Sequence, residues 1–416
     1  MWTTPRPTAS FPSTAALAAT VTLLALALAG CTADPQPSVT GSETPEPSAS
    51  AEPSATPSSS PSPSPVVVGG AADAEVVATV SLIGNLEAPW DIAWEPDGGM
   101  LVTLSDEGRI LRYKDNTTEY FTGPGADWLA ANVNPAGEGG LLGIALLPSD
   151  PSVVYVYMSR TNDNVVARMS LTGTQLGEAK VILQGIPHAT SHDGGRIRFG
   201  PDGYLYVTTG DARDKPASQD TSTLNGKILR MVADGTDADG SPAPGNPFGN
   251  LVWTYGHRNV QGIGWTADGR MYESELGQNE YDELNLIEPG NNYGWPLVEA
   301  MIGAPAGTAP GATVKGVTYP LVYWRTSEAS PSGLAVTNEA IYVGALRGQR
   351  VYRIPLTATG IGTPTVLLNN LGRIRLVSWG PDGNLYVMTS NTLRGELIAG
   401  PIDDRIVKVF IHQVDE

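Results

Sequence analysis

One unit recurs six times in this chain, and that recurrence limits what it can fold into more than any other feature. The unit is an apolar alternation, then a turn such as Pro-Asp-Gly, then a β-rich run. The copies are DIAWEPDGGMLVTL from Asp91, GIALLPSDPSVVYVYMS from Gly143, RIRFGPDGYLYVTTGD from Arg196, GIGWTADGRMYESE from Gly262, GLAVTNEAIYVGAL from Gly333 and RLVSWGPDGNLYVMTS from Arg375. A further strand follows each one: RILRY, VVARM, KILRM, DELNLI, RVYRI and RIVKV. The Asp-Gly steps predict hairpin turns. Six units predict an all-β fold, a six-bladed β-propeller of four-stranded antiparallel blades. A β-sandwich has similar hairpins but does not account for six copies. Neighbouring blades bury one another's apolar faces, so one unit alone is not stable.

The propeller is expected over residues 88–416, with residues 66–87 leading into it. Residues 1–30 read as a bacterial lipoprotein signal peptide. Arg6 gives a basic start, and the apolar run AALAATVTLLALALAG is too short for a comfortable membrane span. It ends in Leu-Ala-Gly-Cys, and Cys31 is the one cysteine of the chain. Diacylation of Cys31 gives a stable two-chain anchor, and no internal disulfide is then available. Residues 31–65 carry nine prolines among Ser, Thr and Glu. Such a stretch cannot bury enough surface to fold and reads as a tether reaching up to ~100 Å. The expected location is the outer face of the bacterial cytoplasmic membrane, held there by the lipid alone. The net charge of −18 argues against nucleic-acid binding, which rests on Lys and Arg contacts to phosphate.

Chemistry concentrates in a few Gly-rich segments beside strand ends. There are four histidines, His188, His192, His257 and His412. His192 sits in SHDGGRIR, in a Gly-flanked loop before a strand, and Asp211 closes the strand run that follows. This is the base–orienter pattern that proton abstraction needs. GEGGLLG at 137–143, YGHRNVQG at 255–262, ALRGQR at 345–350 and GRIRLV at 372–377 come from four other units. A propeller brings their loops to one channel, so Arg258, Arg347, Arg373 and Arg375 converge in an acidic protein. Converging guanidinium groups call for a polyanionic ligand such as a polycarboxylate or phosphate, or for several acidic partners; separately they read as surface ion pairs of small worth. Glu275, Glu280, Asp282 and Glu283 beside Gly277 supply oxygen ligands of the kind Ca²⁺ takes, without EF-hand spacing. Trp90, Trp295 and the turn GNNYGWP read as packing elements. There is no GxSxG, HExxH, P-loop or CxxC, which removes the common hydrolase, metalloprotease and nucleotide-binding readings.

From about Ala88 to Val409 the chain resembles the soluble glucose dehydrogenase and aldose sugar dehydrogenase (glucose/sorbosone dehydrogenase) family, six-bladed propellers dependent on pyrroloquinoline quinone (PQQ). The resembling segments are APWDIAW, GEGGLLGIAL, HDGGRIRFGPDGYLYVTTGD, LNGKILR, YGHRNVQG, DELNLIEPGNNYGWP, GALRGQR and GRIR. The resemblance implies hydride transfer from the C1 hydroxyl of an aldose to PQQ. It makes His192 the general base and Asp211 its orienter. Arg258 and Asn259 match the pair beside the quinone oxygens. Arg347 stands in place of a Lys that contacts the cofactor, and Arg373 and Arg375 match the pair that binds its carboxylates. Substrate would meet Glu138, His192 and Arg258. Backbone carbonyls of Gly277 and Gln278 would hold a Ca²⁺ that polarises the quinone. Glu138 replaces a common Gln, Ser191 an Asp, Leu276 a polar residue, Gln278 a Pro and Leu376 an Asp, so the polar shell around the substrate is altered. The electron acceptor implied is a quinone or a cytochrome. Two other readings stand beside this one: a non-catalytic propeller that binds sugars or a protein, and a calcium-dependent lactonase, which needs a metal cage but no cationic pocket.

Overall fold

The computed structural model describes residues 73–300, 314–357, 360–392 and 400–414. Cys31 and the expected signal peptide and tether lie outside them. The described chain forms six antiparallel sheets, four of them four-stranded and two extended by a short fifth strand. The first strands are Pro89–Trp94, Leu141–Leu147, Ile197–Phe199, Val260–Trp265, Pro331–Val336 and Ile374–Trp379. Each touches the first strand of the next sheet, and the sixth touches the first. That closed ring of contacts is the wall of a central channel, and the sheets are the blades of a six-bladed propeller.

Apolar alternation on both faces of a sheet has one consequence in this geometry: each blade must be covered on both sides. The described residues accordingly carry six apolar clusters, one at each blade boundary. Leu101 and Ile110 of the first blade meet Val154, Val156 and Val165 of the second. Tyr157 and Val166 of the second meet Ile197, Leu205 and Leu229 of the third. Tyr206 and Ile228 meet Val260, Ile263 and Met271, and Tyr272 and Leu284 meet Ile341, Val343 and Ile354. Tyr342 and Val351 meet Val377, Leu385 and Val407. The circle closes where Tyr386, Met388 and Ile406 meet Ile92, Met100 and Val102. The second strand of the first blade, Met100–Leu104, is therefore buried at every position.

The last blade is completed from the other end of the described chain. Asp73–Ile83, placed by sequence in the segment leading to the propeller, is its outermost strand and pairs antiparallel with Ile406–Val414. This pairing fastens the ring.

The Pro-Asp-Gly steps form the hairpins between first and second strands. In the first blade Gly98 N donates to Glu95 O and Glu95 N to Gly99 O; in the third the same pair links Gly200, Gly203 and Tyr204. Gly98 and Gly203 have φ of 87° and 81°, a left-handed conformation that glycine adopts without steric cost. Strands alternate in direction. These hairpins therefore lie at one end of the propeller, while the second-to-third-strand loops and the blade-to-blade connections lie at the other. Every Gly-rich segment singled out by sequence falls at that second end.

Candidate active site

The channel mouth at this end is a cavity of about 230 Å³. All six blades contribute to its lining, among them Trp90, Glu138, Asp193, Leu276, Arg347 and Arg373, with Arg375 and Gln261 beside them. Three of the four arginines expected to converge therefore share one cavity. The fourth, Arg258, lies next to it. It faces a smaller recess with Glu275, Leu276, Gly277 and Trp295.

His192 lies on the connection between Lys180–Pro187 and Ile197–Phe199. Its φ is 69°, a left-handed backbone that a residue with a side chain adopts only at a cost of about 1–3 kcal/mol. Gly210 permits the close approach beneath it, since a Cβ there would fall 1.8 Å from the His192 carbonyl oxygen. His192 Nδ1 lies 2.7 Å from Asp211 Oδ1, and Arg258 Nη2 lies 2.9 Å from His192 Nε2. A guanidinium can only donate, so Nε2 is the accepting nitrogen and Nδ1 carries the proton given to Asp211. This arrangement turns the Nε2 lone pair away from Asp211 and toward Arg258.

Asp211 is fully buried. Burial pushes its carboxyl up, but hydrogen bonds from His192, Arg213 N and Trp295 Nε1 outweigh it and hold the pKa below the usual value. Asn225 Nδ2 donates to the Asp211 carbonyl. Lys227, buried on the strand that follows, donates its ammonium to the carbonyls of Ala217, Ser218 and Asn225. Burial pulls Lys227 down to about 8. The loop carrying Asp211 is thereby tied at several points.

Arg258 donates from Nη1 to the Leu276 carbonyl and from its backbone N to Glu275 Oε2. Burial lowers its pKa, against the charges of Asp211, Glu299, Glu138 and Glu275. Glu138 Oε2 accepts from His192 N at 2.8 Å and from Asn259 Nδ2 at 3.4 Å. Asn259 Oδ1 in turn accepts from Gly194 N. Gln261 links this group to Arg375, whose Nη1 donates to Gln261 Oε1. Below the cavity, Asp91 is buried between Arg196 and Arg198. The Arg198 fork lies at 2.6 and 2.7 Å from its two oxygens, and Arg196 stacks over Trp90 at 4.0 Å.

Gly277 and Gln278 lie between the strands Met271–Glu275 and Tyr281–Ile287. Gly277 N donates to Asp282 Oδ1, and the amides of residues 278–281 all donate to Glu299 Oε1. A trans peptide points its carbonyl opposite its N–H, so the Gly277 carbonyl faces away from Glu299 and keeps its lone pairs. Nearby, His257, Glu273 and Glu275 bring ligand atoms within 4.8 Å of one another, with Glu283 beside them. Burial, then Glu275, pushes Glu283 up to about 8, and burial raises Asp282 to about 6. Glu273 Oε2 and Asn285 Oδ1 are buried without a hydrogen-bond partner among the described residues. This side of the site has a surplus of oxygen ligands.

Sequence reasoning did not assign Trp295, Gln261, Asp193 or Lys227. Trp295 was read as packing, yet its indole N–H bonds Asp211. The excursion that carries it runs back along the third blade, with Gly290 N donating to Trp253 O and Tyr293 N to Tyr255 O. The LNGKILR segment was a signal for Lys227, because a lysine opening a buried strand must find acceptors.

Comparison with known proteins agrees with this geometry. The family described as Glucose / Sorbosone dehydrogenase matches residues 86–399. The aldose sugar dehydrogenase YliI of Escherichia coli is 31% identical over 357 residues, covering 79% of this chain and 93% of that protein. Quinoprotein glucose dehydrogenase B of Acinetobacter calcoaceticus is 33% identical over 251 residues, 52% of each. Among solved structures, the PQQ-bound aldose sugar dehydrogenase of Streptomyces coelicolor has a TM-score of 0.72 at 40% identity, covering 84% of this chain and 100% of that one. With its six blades, its arginine-bearing channel mouth and this extent of likeness, the chain belongs to the glucose/sorbosone dehydrogenase family.

Proposed function

We propose that this protein oxidises aldose sugars at the C1 hydroxyl, using PQQ and Ca²⁺, with His192 as the general base. The observation that carries the reading is the pairing of an Asp-oriented imidazole with a tri-arginine cavity in a chain of net charge −18. PQQ bears three carboxylates, and the arginine-lined mouth fits such an anion. Arg347, Arg373 and Arg375 would hold it, with Arg258 and Asn259 at its reacting edge. The Gly277 and Gln278 carbonyls would hold Ca²⁺. When bound, PQQ supplies the hydride acceptor and Ca²⁺ a Lewis acid that polarises it.

The chain's own residues do the rest. His192 Nε2 is the basic atom, and a substrate hydroxyl competes with the Arg258 guanidinium for its lone pair. As His192 takes the proton, buried Asp211 stabilises the imidazolium through Nδ1. Glu138 fixes the base loop through His192 N. Lipidation at Cys31 would hold the enzyme on the outer face of the cytoplasmic membrane, where a quinone or cytochrome could take the electrons.

The test is a titration of PQQ into metal-free protein, with and without Ca²⁺, followed by absorbance and calorimetry. Dye-linked oxidation is then measured across an aldose and alcohol panel. Calcium-dependent binding and aldose turnover are expected. Full loading without turnover on any sugar would refute the catalytic reading. Absence of PQQ binding would leave a propeller that binds some other anion.

A further inference from the structure

The loop that carries His192 holds a second His–Asp pair, and nothing in the function proposed above uses it. His188 Nδ1 lies 2.8 Å from Asp193 Oδ1. The same oxygen accepts from Asn164 Nδ2 at 3.1 Å and from Ala189 N at 3.3 Å. The Asp193 carbonyl accepts from Tyr157 OH at 2.8 Å. Asn164 Nδ2 also donates to Pro187 O, where the loop begins. Asp193 is therefore a hub. It folds residues 188–193 back on their own start and fastens them to two strands of the second blade.

Its place next to His192 gives the hub its meaning. His192 has the left-handed φ of 69°, and such a backbone persists only where its surroundings over-determine it. Three sides of the restraint are Glu138 on His192 N, Ala212 N on the His192 carbonyl, and Asn259 on Gly194 N. These come from the second-blade entrance, the third blade and the fourth. Asp193 supplies the remaining tie, from the body of the second blade, at the residue that follows the strained one. Its Oδ2 is buried and has no hydrogen-bond partner among the described residues. A carboxylate in that state is costly unless a cation stands beside it. His188 is the donor on the hub that can carry a positive charge, and the Asp193 hydrogen bond pushes its pKa up against the opposing pull of burial. The other charges around His188 belong to Asp163, itself paired with Arg160.

We propose that the His188–Asp193 pair is a positioning device for the base, locking the His192 backbone so that Nδ1 meets Asp211 and Nε2 meets Arg258. The inference rests on the proposed role of His192 in its kinetic consequence but not in its structural one. Neither residue touches the reacting atoms. Losing the hub lets the imidazole drift, and a displacement of about 1 Å in such a constellation costs up to ~100-fold in rate.

The test uses the whole protein with ¹⁵N-labelled histidine. Four histidines give few signals, and His192→Gln assigns the His192 pair. In metal-free, cofactor-free protein, His192 Nδ1–H is expected as a strongly hydrogen-bonded, low-field proton. Asp193→Ala should weaken or abolish that signal. In the enzyme saturated with PQQ, as is needed because Asp193 also lines the cavity, it should lower kcat about 10- to 100-fold with KM within about twofold. Asp193→Asn keeps the accepting oxygen and should restore most of both readouts. His188→Gln, which keeps a donor, should fall between the two and stands in if Asp193→Ala does not fold. An unchanged His192 signal and kcat in Asp193→Ala overturns the proposal, as does an equal loss in Asp193→Asn and Asp193→Ala. If the unmutated protein turns over no sugar, the nitrogen spectra still decide the positioning by themselves.

Discussion

Replacing Asp211 by Asn isolates the electrostatic part of the proposed chemistry. Asn can keep its carbonyl oxygen where Oδ1 stands, accepting from His192 Nδ1 and Arg213 N. Its amide nitrogen then faces the Trp295 indole N–H, which now meets a donor. A buried donor left without an acceptor costs about 1–3 kcal/mol of stability. The alternative rotamer is worse, because it forces the proton onto His192 Nε2 against Arg258. The catalytic loss comes from charge. An imidazolium and a carboxylate with centres about 4 Å apart attract by ~4 kcal/mol at an effective dielectric near 20. Removing that attraction from the transition state lowers kcat about 10³-fold. PQQ affinity and KM should change little, since Asp211 does not line the cavity. The assay is dye-linked oxidation by loaded enzyme, with thermal unfolding alongside. Asp211 has a depressed pKa in the folded protein. Its contribution is therefore present above the unfolded carboxyl value and is lost as pH falls through the folded one, so the stability gap to the variant should close in acid. A kcat within tenfold of the parent would refute the assignment of His192 and Asp211 as base and orienter.

Arg373→Ala should weaken PQQ binding about 10- to 150-fold, the equivalent of one charge-assisted hydrogen bond of ~1.5–3 kcal/mol; titration with unchanged affinity would remove Arg373 from the cofactor site. Asp91→Asn leaves the buried Arg196 and the half-buried Arg198 without their carboxylate and should cost about 3–5 kcal/mol. Denaturant unfolding reads this as a lower midpoint at constant slope, and an unshifted midpoint would count against it. In metal-free protein, the raised carboxyls of Asp282 and Glu283 contribute stability below the unfolded carboxyl value, lost as pH rises through about 6 and about 8. The Tm should fall between pH 5 and pH 8, and Ca²⁺ should flatten the fall; a Tm that rises across that window contradicts the acidic cluster.

Much of the architecture was legible because it repeats. Turn geometry holds the exposed Pro-Asp-Gly hairpins to one pattern, and burial on both faces does the same for inner strands such as Met100–Leu104. The outer strands are not. Thr117–Tyr120 is exposed at every position, and a strand that packs against solvent can be written in almost any polar letters. The closing strand Asp73–Ile83 was set apart from the propeller for the same reason: its partner, Ile406–Val414, lies at the far end of the chain. The site divides likewise. His192 and Asp211 are 19 residues apart across one hairpin, within reach of local reading. Asp211 and Trp295 are 84 apart, and Arg198 and Asp91 are 107 apart. No local pattern reports those meetings.

The sequence by itself determined that this chain is a ring of six β units, with its turns at one end and its glycine-rich polar segments at the other. It did so because alternation, turn chemistry and repetition are local properties of the chain. Tertiary structure decided which polar groups face one another across the channel. Three arginines share a cavity while Arg258 turns to His192, and Asp211 is held by an indole from another blade. A second His–Asp pair braces the first. Those contacts follow from closing the ring, which brings six distant loops to one axis and lets burial, rather than sequence distance, choose each partner.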